Sequence, residues 1–144
     1  MGRIPLVGEQ ASEGGATHGT QDKAQRMSSP ESALQSACVT WFRLQYPRMS
    51  RLMFAIPNGH HRNKRTACIL KAEGVVAGVS DLILLVPSKT HACLCIEMKA
   101  GKSGRQSQHQ LAFQRDAEGV GNRYIICRTF DDFRNAVTQH LNER

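Results

Sequence analysis

Three charged residues stand at the ends of two neighbouring apolar segments. Asp81 begins the run 81–86 (DLILLV), whereas Glu97 and Lys99 end the segment 92–99 (ACLCIEMK). Glu97 and Lys99 are two apart, so on a strand their side chains point to the same side. A hairpin between the two segments with an odd-length loop places Asp81 opposite Glu97 on one face. An even-length loop would turn Glu97 away. The functional interpretation, in which the three charges meet, therefore predicts an odd loop, of three residues (88–90) or five (87–91).

Charge at the end of an apolar hairpin is costly unless a metal ion or a pairing network compensates it. Two carboxylates suit a hard cation such as Mg²⁺, which takes oxygen ligands and completes its shell with water and phosphate oxygens. The lysine beside them would lower the pKa of an attacking water or stabilise charge in a phosphoryl transition state. The alternative is a cross-strand ion network with a structural role only. Spacing alone leaves both interpretations open.

Five short segments carry a resemblance to a known family. They are Glu31-Ser-Ala-Leu-Gln35, Pro57-Asn58-Gly59, Gly78-Val-Ser-Asp81, Glu97-Met-Lys99 and Ser107-Gln-His-Gln110. In this order they resemble the virus-type replication-repair nuclease (VRR-NUC) family of the PD-(D/E)xK nuclease superfamily. The resemblance covers roughly residues 30–130. One departure is Ser80 before Asp81, where the superfamily has proline. Since proline contributes stiffness and no ligand, this weakens the motif more than the chemistry.

The resemblance implies a role for each matching residue. Asp81 and Glu97 would hold Mg²⁺ or, in its place, Mn²⁺, and Lys99 would serve the attacking water. Glu31 would be an additional acid reaching the same or a second metal ion, although an acid in the first turn of a helix is also favoured by the helix dipole. Gln110 would hydrogen-bond near Lys99 or the scissile phosphate, or form half of a capping box.

The resemblance also implies the reaction and its partners. It implies a divalent-metal-dependent endonuclease that hydrolyses DNA phosphodiester bonds and leaves a 5′-phosphate. The substrate would be branched DNA, such as a Holliday junction or a flap. Two symmetric cuts need two sites, so a homodimer is expected.

The local patterns predict an α/β fold with the order α-β-α-β-β-α-β-α, a PD-(D/E)xK restriction-endonuclease-like core in which helices flank a mixed sheet. Helices are expected from Ser29 to Tyr46, over 62–73, from Ser107 to about Glu118, and from Thr129 onwards, while strands are expected over 52–56, 81–86, 92–99 and 123–127. The aliphatic run 81–86 is typical of a strand buried on both faces.

The charge pattern favours a nucleic acid as partner. The chain has 19 Lys+Arg against 12 Asp+Glu, a net charge of +7, and no acid between Glu31 and Glu73 or between Glu97 and Asp116. Such a field attracts polyanions. The predicted nucleic-acid contacts are Asn58, Arg62, Lys64, Arg65, Lys102 and Arg105. The alternative function is a non-catalytic basic nucleic-acid-binding module, and the sequence does not separate DNA from RNA.

Composition divides the chain into a predicted disordered leader, residues 1–27, and one nuclease-like domain, residues 28–144. The leader carries few large apolar residues and five of the 12 glycines. No membrane span or signal peptide is expected. We predict a cytoplasmic protein of a bacterial or phage-infected cell. The five cysteines form no CxxC pair and are expected to be buried free thiols rather than a metal site.

Overall fold

The secondary structure follows the predicted order. The computed structural model describes residues 29–57 and 64–144, so the predicted leader lies outside the described residues. The elements are α1 (Pro30–Gln45), β1 (Met53–Ala55), α2 (Lys64–Ala72), β2 (Leu82–Leu84), β3 (Leu94–Met98), α3 (Gln108–Gly119), β4 (Arg123–Cys127) and α4 (Phe130–Asn142), with a 3-10 turn at Pro47–Met49 after α1.

The four strands form one mixed sheet in the order β1-β2-β3-β4. β2 pairs with β1 and β3 in antiparallel fashion, whereas β3 and β4 are parallel. Leu82 pairs with Ile96 and Leu84 with Leu94, so the connection 85–93 contains an odd number of residues. This register brings Asp81, the residue before β2, opposite Glu97. The predicted pairing is confirmed.

The two faces of the sheet are covered unequally. α1 and α4 cover one face, and the main core lies between them and the sheet. On the other face α3 packs against the half of the sheet that contains β3 and β4, where Cys95, Ala117 and Tyr124 form a smaller cluster. β3 is consequently buried on both faces. The prediction that 81–86 is buried on both faces is wrong, because α3 does not reach β2 and Leu85 is 57% exposed.

The predicted starts of α1, α3 and α4 are confirmed by their caps, whereas the start predicted at residue 62 lies outside the described residues. The Ser29 side chain accepts a hydrogen bond from the backbone N–H of Ser32. Ser107 and Thr129 each form a capping box, with Gln110 and Asp132 as the reciprocal partners. These caps satisfy backbone N–H groups that a helix leaves free at its start, so the beginnings of α3 and α4 are fixed.

The five cysteines are all free thiols. Cys38, Cys95 and Cys127 are buried and Cys93 is half-buried, as expected, but Cys68 on α2 is exposed. Within residues 29–57 and 64–144, no helix has the length and hydropathy needed to cross a membrane.

Candidate active site

A pocket of about 430 Å³ opens where β3 ends, between α1 and the start of α3. Its lining contains the five residues predicted to be catalytic: Glu31, Asp81, Glu97, Lys99 and Gln110. Glu31 comes from the first turn of α1 and Gln110 from the first turn of α3. Glu97 is on β3, Lys99 directly follows that strand, and Asp81 directly precedes β2. The fold therefore brings together residues that span most of the domain.

Glu97 is the centre of this group and is fully buried. Its Oε1 lies 2.9 Å from Nζ of Lys99 and also accepts a hydrogen bond from the side-chain amide of Gln110. Its Oε2 accepts a hydrogen bond of 3.3 Å from the hydroxyl of Tyr124 on β4. Donors on three different elements therefore hold both carboxylate oxygens.

Burial raises the pKa of Glu97 above that of an ordinary glutamate. The hydrogen bond and charge of Lys99 lower this pKa, whereas the negative charge of Asp81 raises it further. Two carboxyl groups, one of them fully buried, thus lie beside one lysine, an arrangement common at functional sites. An additional positive charge here would favour the ionised form of Glu97.

Asp81 and Glu31 are both held by backbone N–H groups at the end of β3. Oδ2 of Asp81 accepts a hydrogen bond of 2.8 Å from Met98, and Oε1 of Glu31 accepts one of 3.0 Å from Ala100. Within the described part of the chain, the other oxygen of each carboxylate has no hydrogen-bond partner. Each acid is therefore oriented through one of its carboxylate oxygens.

Gln110 combines the two roles considered for it. Its side-chain oxygen accepts the backbone N–H of Ser107, which completes the capping box, while its nitrogen donates to Glu97. The capping box thus fixes the orientation of the amide that contacts Glu97.

Gly78, in the loop before β2, lies directly against the backbone of His109 and Gln110.

The donor chemistry of the pocket fits a hard divalent cation. All the candidate ligands are carboxylate oxygens, which Mg²⁺ and Mn²⁺ accept. Among the described residues, no three His, Cys, Asp or Glu side chains are close enough to form a ready-made cage. Mg²⁺ is usually held by one or two carboxylates with water and substrate phosphate. Asp81 and Glu97 satisfy that requirement, and Glu31 is the third acid of the pocket wall.

The predicted nucleic-acid contacts are only partly within the described residues. Lys102 and Arg105 are exposed on the loop that joins β3 to α3, beside the pocket. Lys64 and Arg65 begin α2. Asn58 and Arg62 lie outside the described residues.

Sequence reasoning missed Tyr124 and the polar wall that α1 contributes. Tyr124 and Glu97 lie on the same face, because the parallel register pairs Cys95 with Tyr124. Parallel pairing of β3 and β4 would have placed this hydroxyl near Glu97, but the strand pattern alone does not choose the partner strand. Ser32 and Ser36 line the pocket at helical spacing beside Glu31.

Comparisons with known proteins support a fold assignment. The sequence matches no family model, and no curated protein shows significant similarity to it. A solved structure described as a VRR_NUC domain protein is similar to this chain with a TM-score of 0.68 and 19% identity, covering 81% of this chain and 91% of that one. The chain therefore has the fold of a VRR-NUC domain, the family that its sequence motifs resemble.

Proposed function

We propose that the protein is a divalent-metal-dependent endonuclease that hydrolyses DNA phosphodiester bonds. The observation that carries the proposal is the convergence of Asp81, Glu97, Lys99 and Gln110 in one pocket of a VRR-NUC fold. The basic charge of the chain supports a polyanionic substrate.

Each residue has a role that its surroundings support. Asp81 and Glu97 would hold the metal ion, and Glu31 would offer a third carboxylate at the same pocket wall. The Lys99 ammonium, ion-paired with Glu97, orients the attacking water and stabilises negative charge that develops on the phosphate. Gln110 keeps the Glu97 carboxylate in position.

Mg²⁺, or Mn²⁺ in its place, would supply Lewis acidity at the scissile phosphate and lower the pKa of the attacking water. The chain's own backbone fixes the orientation of the carboxylates in the pocket. Backbone N–H groups of Met98 and Ala100 orient the two acids that flank the cleft, so these acids need little reorganisation when substrate binds.

We propose branched DNA, a Holliday junction or a flap, as the substrate and a 5′-phosphate as the product. A domain of this size offers little surface for reading bases, which favours recognition of DNA shape and backbone. Lys102 and Arg105 contact phosphates beside the pocket, with Asn58, Arg62, Lys64 and Arg65 as further contacts. A homodimer would supply the two active sites needed for paired cuts. The proposed location is the cytoplasm of a bacterial or phage-infected cell.

The test is cleavage of a labelled panel containing a four-way junction, a flap, a linear duplex, a single strand and the matching RNAs. Each substrate is incubated with Mg²⁺, Mn²⁺ or EDTA. Lys99→Ala should lower the cleavage rate at least about 100-fold while DNA affinity is kept, because the charge that orients the attacking water and stabilises the developing negative charge is lost. Lys89→Ala, an exposed lysine outside the pocket lining, is the matched control. Metal-independent cleavage, or full activity of Lys99→Ala, would refute the proposal.

A second candidate function is a non-catalytic nucleic-acid-binding module. It is favoured by the internal contacts of Glu97, whose two oxygens are both engaged by protein donors, as in a purely structural ion network. Under this alternative no substrate is cut with any metal. Binding would then respond to Arg62, Lys64 and Arg65 substitutions and not to Lys99→Ala.

A further inference from the structure

Arg128 lies between β4 and α4 and reaches the loop that follows Lys99. One terminal nitrogen of its guanidinium donates a hydrogen bond of 2.8 Å to the carbonyl of Gly101, and the other donates one of 2.8 Å to the carbonyl of Gly104. A planar guanidinium presents its donors in a fixed fork, so one side chain can bridge two carbonyls in a way that a lysine cannot. Arg128 thus joins the two ends of the turn 101–104.

The turn held in this way packs against Lys99. A Cβ atom on Gly104 would lie 3.3 Å from Cβ and 3.4 Å from Cδ of Lys99, so the Gly104 backbone faces the aliphatic part of that side chain with little space between them. The far end of Lys99 is the ammonium that pairs with Glu97. The turn therefore limits the directions in which the Lys99 side chain can move.

The backbone of Arg128 is fixed independently of its side chain. Its N–H donates a hydrogen bond of 2.9 Å to Oδ2 of Asp132, the acid of the α4 capping box. A substitution at Arg128 keeps this bond because it involves only the backbone N–H. Removing the guanidinium therefore leaves the backbone hydrogen bond to Asp132 in place, and only the charge of Arg128 beside that carboxylate is lost.

We propose that Arg128 is a positioning residue for the active site: by bridging the carbonyls of Gly101 and Gly104 it holds the turn that keeps Lys99 directed at Glu97. The expected effect on the cleavage rate rests on the proposed nuclease function. The structural part, that the Arg128 guanidinium holds the turn 101–104, does not depend on that function.

The test compares Arg128→Ala and Arg128→Lys with wild type, with Arg134→Ala as the matched control. Arg134 is an exposed arginine of α4 whose ion pair is with Asp131, one turn away on the same helix. Hydrogen–deuterium exchange of the 99–106 backbone should be at least about tenfold faster in both Arg128 variants and unchanged in Arg134→Ala, since opening of the turn exposes its amides. Unchanged exchange in Arg128→Ala would overturn the inference.

The kinetic arm measures the cleavage rate at saturating DNA and the DNA affinity separately. The rate should fall about tenfold in both Arg128 variants, with a smaller change in affinity, as expected when a transition-state contact is misplaced. If Arg128→Lys restores the rate, charge and not the fork is what matters, and the inference is wrong. If wild type cuts nothing, the proposed function fails, whereas the exchange result still decides whether Arg128 holds the turn.

Discussion

Replacement of Gly78 by alanine should destabilise the protein in two ways: through backbone strain in the loop and through a clash with the start of α3. Gly78 has φ of +84°, and an added Cβ would lie 2.5 Å from the carbonyl oxygen of His109 and 2.7 Å from the backbone nitrogen of Gln110. Both atoms belong to the first turn of α3, which cannot yield as the end of a flexible side chain would. The substitution must therefore strain the loop and also displace the start of the helix.

The magnitude follows from adding these two terms. A residue with a side chain at positive φ costs about 1–2 kcal/mol. Overpacking of a tight contact costs about 1–3 kcal/mol more. Gly74→Ala is the matched control, because Gly74 also has a positive φ, +94°, but nothing lies within 4 Å of its added Cβ. We expect Gly74→Ala to lose about 1–2 kcal/mol and Gly78→Ala about 2–5 kcal/mol.

Urea denaturation of the three proteins measures both losses. The reduced entropy of the unfolded chain contributes similarly to the two alanine variants and cancels in the comparison. Displacement of Gln110 from Glu97 should also lower cleavage in Gly78→Ala under conditions where the variant is folded, but not in Gly74→Ala. Equal losses of stability in the two variants would refute the argument that Gly78 is needed for close contact with α3.

Two further predictions concern single side chains. Tyr124→Phe removes the donor to Oε2 of Glu97 and should cost about 1 kcal/mol by urea denaturation, because a buried charged acceptor loses a partner; an unchanged midpoint would contradict this role of the hydroxyl. The backbone N–H of Arg128, together with Thr129, holds the pKa of Asp132 below its usual range. Because the folded pKa is the lower one, this carboxylate contributes stability above the ordinary aspartate pKa of about 4, and that contribution disappears as the pH falls through the folded pKa. Asp132→Asn should therefore be less stable than wild type by about 0.3–1 kcal/mol at pH 7. In thermal unfolding the difference should shrink at acidic pH; a difference that stays constant down to pH 2 would contradict the assignment.

Local signals predicted much of the fold. Capping residues determined where α1, α3 and α4 begin, because a cap and its partners lie within a few residues of each other. The pairing of Asp81 with Glu97 was also predictable, since the charged ends of this hairpin share one face only if its loop has an odd number of residues. Both the helix caps and the hairpin pairing depend on residues that are close together in the sequence.

Features that depend on distant packing were not predictable in the same way. The exposure of Leu85 follows from where α3 lies on the sheet, and nothing within 81–86 encodes that position. The contact of Tyr124 with Glu97 depends on β4 choosing β3 as its parallel neighbour. Glu31 could be identified as an acid at a helix start, but its partner, the N–H of Ala100, is 69 residues away.

The candidate acids are held by backbone N–H groups, which explains why their hydrogen bonds could not be predicted from the sequence. Asp81 is oriented by the N–H of Met98 and Glu31 by the N–H of Ala100, and any residue except proline supplies such a donor. The side chains at 98 and 100 are therefore free to satisfy other demands, such as the burial of Met98 in the core. What the site requires of the end of β3 is its backbone path together with Glu97 and Lys99. Orienting the acids through backbone N–H groups therefore places few demands on neighbouring side chains, and the fold itself is shared with a VRR_NUC domain protein at only 19% identity.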